Sequence, residues 1–293
     1  MSASRCARPL ALAALALLAA CSSPVTIATF NIRLFPEPST DPTRVAERIV
    51  ELDASVIAVQ EIRDARALGA VLEDASRHTG RDYQLLIGPC GGEGDYITTG
   101  VVVDASTWTV LEHTGYPDLQ PEGEGSCGRP QAGTLVVLED RGGRRLGVLS
   151  VHLLPFPDGF DARREQWGRV LERLDEIERR YDAPAIALGD FNSTGFRGDP
   201  TEERPFVTGV VAEAGYQLPT ADLRCTEYWR PKGDPGPYRP SVLDHAVATA
   251  GQWQAEAHGM CRRLACEPMD PEAIDPDYLV VSDHCPVVVQ GRL

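Results

Sequence analysis

Two rhythms of apolar and polar residues run along this chain. Residues 25–30 alternate in β-branched fashion and predict a strand. Asp41-Pro42 opens a predicted helix with Val45, Ile49 and Leu52 on one face, since residues three and four apart share a side of the helix. The unbroken apolar run 56–59 reads as a buried strand ending in Gln60-Glu61, followed by a helix over 65–78 and an extended segment over 83–87. Residues 97–110 and 134–154 are β-rich and flank a loop of Gly, Pro and acids at 117–130. Residues 159–181 form a long amphipathic pattern of mixed charge, that of a solvated outer helix. A buried strand over 185–188 opens into Gly189-Asp190-Phe191-Asn192. Beyond the Pro- and Gly-rich loop 231–240, strands follow near 242–248 and 287–289. With no repeat, heptad or clear linker, this order predicts one α/β domain of two layered sheets covered by helices.

The first twenty residues have another character. Arg5 and Arg8 precede an apolar run over 9–20, too short to span a bilayer and the right length for a signal-peptide core. Leu18-Ala19-Ala20-Cys21, followed by Ser22-Ser23, resembles the bacterial lipoprotein processing site. The expectation is a signal peptide over 1–20, a short linker over 21–24 with lipidated Cys21, and a catalytic domain over 25–293. Such a protein is exported and held by its lipid at the outer membrane, cell surface or periplasm. A plain signal peptide that happens to carry a cysteine is the alternative.

Cysteines and charge narrow the picture. Cys90, Cys127, Cys225, Cys261, Cys266 and Cys285 form an even set, which in an exported chain predicts disulfides. No Cys-x-x-Cys pair supports a zinc site. Cys90 and Cys127 flank one β-rich segment and are expected to pair, leaving the other four to form two bridges. With 28 basic and 43 acidic side chains the net charge is −15, which excludes avid nucleic-acid binding through broad counterion release. A polyanionic substrate has to be met locally, by a metal and a few Arg, His and Asn side chains.

Polar residues gather where predicted buried strands end. Asn31, Glu61, His152, Asp190 with Asn192, Asp244 with His245, and Asp283 with His284 all occupy such places. Any one alone reads as a cap, a turn former or a satisfied core residue. Burying so many ionisable groups without pairing or metal is very costly, so together they point to one polar cleft. Hydrolysis at phosphorus fits this set. Magnesium needs only one or two carboxylates such as Glu61, and an Asp–His pair supplies an oriented acid or base. Asp190 and Asn192, two apart in extended geometry, are expected to point the same way.

The strings Thr29-Phe30-Asn31-Ile32-Arg33, Gln60-Glu61, Val151-His152-Leu153, Gly189-Asp190-Phe191-Asn192, Leu243-Asp244-His245 and Ser282-Asp283-His284 occur in the order seen in the endonuclease/exonuclease/phosphatase family. The chain resembles that family over nearly all of residues 25–293, most of all its deoxyribonuclease-like branch. The resemblance implies a four-layered α/β sandwich, two packed mixed β-sheets flanked by helices, with the site at one end. It implies that Glu61 is the principal metal ligand, with Asn31 and Asp283 close to the metal. Mg2+, or else Mn2+ or Ca2+, is the expected cofactor. It further implies that Asp190 and Asn192 orient the attacking water and the phosphate, that Asp244 polarises His284, and that His152 is a second phosphate-facing histidine. Arg33 and Arg129 are the candidate substrate-binding arginines, and His245 reads as structural. Where deoxyribonuclease backs its inner histidine with a glutamate, this chain has none; either Asp95, Thr98 or Thr99 substitutes for it or nothing does.

The leading expectation is therefore a monomeric phosphodiesterase acting on extracellular DNA or RNA and touching the membrane only through its lipid. A sphingomyelinase-like or small-molecule phosphodiesterase is the second reading. A catalytically inactive surface-binding lipoprotein is the third. The complete set of Glu61, Asp190, Asn192, Asp244 and His284 speaks against that last one.

Overall fold

The computed structural model describes residues 24–88, 97–119, 133–197 and 201–292. The expected signal peptide, Cys21, Asp95, Arg129 and the Cys90–Cys127 pairing lie outside the described residues.

One mixed sheet contains β1 (Pro24–Phe35), β2 (Val56–Ile62), β3 (Tyr83–Ile87), β4 (Thr98–Asp104), β12 (Gln252–Ala257) and β13 (Val287–Arg292), in the order β12-β13-β1-β2-β4-β3. The other contains β5 (Trp108–Tyr116), β6 (Gly133–Asp140), β7 (Arg145–His152), β8 (Ala185–Asp190) and β11 (Asp244–Ala248), in the order β11-β8-β7-β6-β5. The pairs β1/β2 and β7/β8 are parallel and the rest antiparallel. A two-stranded ribbon joins β9 (Glu227–Trp229) to β10 (Arg239–Ser241). Helices α1 (Pro42–Glu51) and α2 (Ala65–Thr79) pack on the first sheet, and α3 (Phe160–Tyr181) and α4 (Glu203–Glu213) on the second. Short helices α5 (Gly259–Arg263) and α6 (Pro276–Val280) lie in the segment before β13. No helix among the described residues is long and apolar enough to cross a membrane.

Local signals explain the helix ends. Asp41 accepts hydrogen bonds from the Thr43 and Arg44 N–H groups and Pro42 opens α1, so an otherwise orphaned turn is capped. Asp64 does the same for α2, and Gly80, left-handed at φ 72°, ends it.

Period-two alternation gives each strand two apolar faces, and this builds the four layers. Ala28, Phe30, Ile57, Val59 and Val102 pack outward against α1 and α2. Leu135, Val137, Leu149, Val151 and Ala187 pack outward against α3 and α4. Between the sheets lie Ile27, Val56, Ala58, Val148, Ile186, Leu188, Ala246 and Ala248. Continuing these inner rows by two-residue steps reaches Thr29 and Asn31, Gln60, Ser150 and His152, Asp190, and Asp244. The interface thus changes from hydrocarbon to neutral polar groups before it becomes charged. Thr29 Oγ1 donates to Gln60 Oε1 at 3.2 Å, and Gln60 Nε2 donates to Ser150 Oγ at 3.1 Å, stitching the two sheets together beneath the cleft.

The helix over 159–181 departs from the sequence reading. Read as a solvated outer helix, it turns one arginine inward: Arg163 is fully buried and forms a bidentate pair with buried Glu203 of α4, at 2.7 and 2.9 Å. Its Nη1 also donates to the carbonyls of Leu154 and Phe156, and Glu203 accepts from the Thr194 hydroxyl. One ion pair therefore ties both helices to the loops after β7 and β8. Arg163→Ala strands the Glu203 carboxylate in the interior and should destabilise the fold by about 3–5 kcal/mol in denaturant unfolding. The joint replacement Arg163→Met with Glu203→Leu should lose much less. A small loss for the single variant would show that water reaches the pair.

Candidate active site

At the ends of the inner rows the two sheets bring their polar residues together. In the second sheet the register sets His152 beside Asp190 and Asp190 beside Asp244 across neighbouring strands. In the first, Asn31 pairs with Gln60 across β1 and β2. The pairing then slips, resuming at Phe35 opposite Ile62. This bulge re-aims Glu61, whose place in a regular strand would be opposite to that of Gln60. Arg33, Leu34 and Glu61 take left-handed backbone there (φ 44°, 45° and 62°), a conformation costly for residues with a Cβ. Leu34 N–H donates to Glu61 Oε2 at 2.8 Å and holds it.

The geometry converges on Asp190. Its Oδ2 accepts a hydrogen bond from Asn31 Nδ2 at 3.0 Å, and the Nε2 atoms of His152 and His284 stand 3.5 and 3.7 Å away. Asn31 Nδ2 also donates to Glu61 Oε1 at 3.1 Å, so one amide NH2 lies between two carboxylates. Oδ1 of Asp190 accepts from Asn192 N–H at 2.9 Å. Asn192 is not extended as the two-residue spacing predicted. The strand ends at Asp190, Asn192 turns left-handed (φ 51°), and its Nδ2 donates to Leu153 O at 3.0 Å. The pair is joined through backbone folding back onto a side chain.

Asp244 Oδ2 and His284 Nδ1 are 2.9 Å apart, and both residues are buried. Burial alone would push the imidazole down, but the carboxylates of Asp244 and Asp190 overrule it and hold His284 well above the ordinary histidine range. His284 is therefore an imidazolium at neutral pH, with Nε2 turned toward Asp190. Its position is over-determined. Ser282 Oγ donates to Asn31 O and accepts from His284 N–H. Thr226 accepts the Leu243 and Asp244 N–H groups on its hydroxyl and the Cys285 N–H on its carbonyl. Disulfides Cys225–Cys266 and Cys261–Cys285 flank these two residues, so the four cysteines pair among themselves as expected.

Ligand atoms of Glu61, His152 and Asp190 all lie within 4.8 Å of one another, close enough to share a metal ion. Two carboxylates beside the Asn31 amide suit a hard, oxygen-seeking divalent cation such as magnesium. Asp283 is not in this group. It stands next to His284 with Ser282 as its hydrogen-bond partner. Nδ1 of His152 is buried without a hydrogen bond among the described residues, so neither Thr98 nor Thr99 backs it. Arg33 does not extend into the cleft. Its guanidinium binds the carbonyls of Tyr278 and Leu279 and pairs with Glu37. His245 is structural, buried between Phe191 and Phe196, bonded to Thr220, and pushed down to about 3 by burial.

Glu227 escaped the sequence reading. It is buried on β9, bridged through its backbone to His284, and accepts a short hydrogen bond from the Ser241 hydroxyl. Burial pushes its carboxyl up to about 7 against the pull of the His284 imidazolium. Its only sequence signal was a lone acid between Thr226 and Tyr228 in a short extended stretch.

A family model, the Endonuclease/Exonuclease/phosphatase family, matches residues 28–284. No curated protein matches the chain. Among solved structures, D. rerio TDP2 complexed with a single-strand DNA product is similar, with TM-score 0.66, 18% identity, and coverage of 92% of this chain and 100% of that one. An endonuclease/exonuclease/phosphatase family protein from Bacteroides thetaiotaomicron has TM-score 0.63 and 15% identity, covering 92% and 98%. A mannosyl-6-phosphatase from the same organism has TM-score 0.60 and 17% identity, covering 90% and 98%. At these identities the likeness shows a shared fold.

Glu227 makes stability depend on pH in a defined direction. From its ordinary value of 4.5 up to about 7 the unfolded chain ionises this group while the folded chain resists. The folded state thus loses stability as pH rises through that window, by an amount on the order of 3 kcal/mol. Glu227→Gln keeps the acceptor for Ser241 and removes the titration. It should raise Tm at pH 8 and leave it unchanged near pH 4. An equal rise at both pH values would mean that ionisation is not the cause.

Proposed function

The chain belongs to the endonuclease/exonuclease/phosphatase family and is a hydrolase of phosphoric ester bonds; we propose that it is a divalent-metal-dependent phosphodiesterase, deoxyribonuclease-like, acting on extracellular nucleic acid. The observation that carries this reading is the convergence of Asn31, His152 and His284 on one oxygen of Asp190, with Glu61 alongside.

Each side chain then has a task. Glu61 and Asp190, with the amide oxygen of Asn31 once that side chain turns, would hold the metal. When bound, the metal supplies positive charge against the phosphoryl and leaving oxygens. Asp190 Oδ2, on which Asn31 and the two histidines converge, orients the attacking water, while the Asn192 N–H fixes the other oxygen of the same carboxylate. His284, kept charged by Asp244, donates from Nε2 to a phosphate oxygen, and His152 does so from the other side. Asp283 adds negative charge behind His284. Nucleic acid is favoured over other esters by the likeness to TDP2 with its DNA product. A small ester such as a sugar phosphate is the second reading, favoured by the net charge of −15 and the likeness to the mannosyl-6-phosphatase.

A substrate panel of single- and double-stranded DNA, RNA, sugar phosphates and phospholipid vesicles, with magnesium and with chelator, separates these readings. Glu61→Gln should abolish turnover on whichever substrate is cut, with the melting curve preserved, because it removes ligand charge but little volume. Full activity of that variant with metal still required would sink the assignment. So would metal-independent turnover by the parent.

Export with lipidation at Cys21 is the companion reading. It rests on the pattern of the first 24 residues and agrees with the two disulfides of the folded domain. One acyl chain anchors only marginally while several hold firmly. Cys21→Ala should therefore release the protein from membranes, and retention equal to the parent would refute the anchor.

A further inference from the structure

Phe156 stands four residues beyond His152 and is the most exposed large hydrophobic residue described, at 71%. Its backbone is left-handed (φ 72°, ψ 145°), a region that belongs to glycine. Packing does not explain the strain, because the ring faces solvent. The conformation is imposed from beneath. Buried Arg163, locked by Glu203, grips the carbonyls of Leu154 and Phe156 at 2.9 and 2.5 Å, and Gly159 N–H donates to Phe156 O as well. The other end of the loop is tied to the site. Leu153 O accepts from Asn192 Nδ2, and Leu153 N–H donates to Asp190 O. A buried ion pair thus holds an exposed aromatic ring in a costly conformation three residues from the cleft. In the free protein the Phe156 carbonyl serves the buried Arg163, while the ring, left mostly exposed, serves no packing. Trp229 and Leu279 are also exposed, but neither has a left-handed backbone.

We infer that Phe156 is a stacking post for an unpaired nucleobase attached to the phosphate that occupies the cleft. The inference rests on the nuclease reading above and narrows it to single-stranded or locally opened substrate. A chain with 43 acids and 28 bases lacks the broad basic groove that normally holds nucleic acid. Stacking on a ring face supplies affinity without charge, and it needs a base whose face is not already covered by a duplex neighbour. A base hangs one sugar from its phosphate, a span the three residues from Leu153 to Phe156 can cover. Acyl tails of a phospholipid stay in the bilayer beyond the headgroup, and an anionic bilayer surface repels an acidic chain.

The test uses the full chain, magnesium, and short DNA strands with one cleavable linkage, with or without the base on either side of it. On the complete strand Phe156→Ala should raise KM about tenfold, the usual scale for one lost base–aromatic stack. On the strand lacking the stacked base it should add little, because ring and base act as one contact. Phe156→Tyr should restore KM and Phe156→Leu should not. Phe156→Gly should weaken substrate binding as alanine does while keeping or raising Tm, since glycine relieves the backbone. Parental KM in the leucine variant, or losses from ring and base that multiply, would overturn the stacking role while leaving the nuclease intact. Failure to cut any strand while another phosphate ester is cut removes the nuclease reading, and this inference with it.

Discussion

One carboxylate oxygen, Oδ2 of Asp190, sets the terms for the whole cleft. A buried carboxylate is costly without compensation, and here Glu61, Asp244 and Glu227 crowd the same end of the molecule. The protein answers with graded means. Asp244 receives a full charge from His284, and Glu227 receives only a hydroxyl and stays protonated up to about 7. Glu61 and Asp190 share a single amide NH2. Their remaining hydrogen bonds come from the backbone N–H groups of Leu34 and Asn192, and the pair lies where a divalent cation suits the donor set. Uncharged donors thus make the hydrogen bonds to these two carboxylates at the point where the chemistry needs a positive charge.

How much of this was legible in the sequence depended on whether the signal was local. The places where buried apolar runs meet polar residues were legible, at Asn31, Glu61, His152 and Asp190, although β1 itself continues to Phe35 and β2 to Ile62. The layering followed from alternating strands between amphipathic helices. Glu227 was hidden because its burial comes from the backbone bridge to His284, fifty-seven positions away in a segment that reads as loop. Arg163 was not singled out because a helix of mixed charge offers no local sign that one arginine turns inward to Glu203. Helix α4 carries Pro205 and Gly209 and has weak periodicity, whereas β12 alternates polar and apolar residues throughout and was legible, although the sequence reading passed over it. Asn192 lay in the right place with the wrong geometry, since spacing assumes a strand that ends two residues earlier.

The segment around β9 and the approach to His284 is poor in regular structure, yet it holds half of the Asp–His pair. Cross-links take over the role that sheet pairing plays elsewhere. Thr226 and Ser282 each bind two separate parts of the site, and the disulfides close loops on either side. Fixing a histidine on irregular chain requires this density of contacts, because backbone entropy otherwise disperses it.

The polar belt of Thr29, Gln60 and Ser150 has a wider meaning. The rows that fill the space between the sheets are the same rows that end in Asn31, His152, Asp190 and Asp244. A strand that slips by one residue turns every side chain to the opposite face. Such an error would lift hydrocarbon out of the interior and, in the same movement, turn the reactive groups away from one another. Correct assembly and catalytic competence are thus read from a single pattern, and a chain folded out of register is inert rather than a hydrolase with misplaced chemistry.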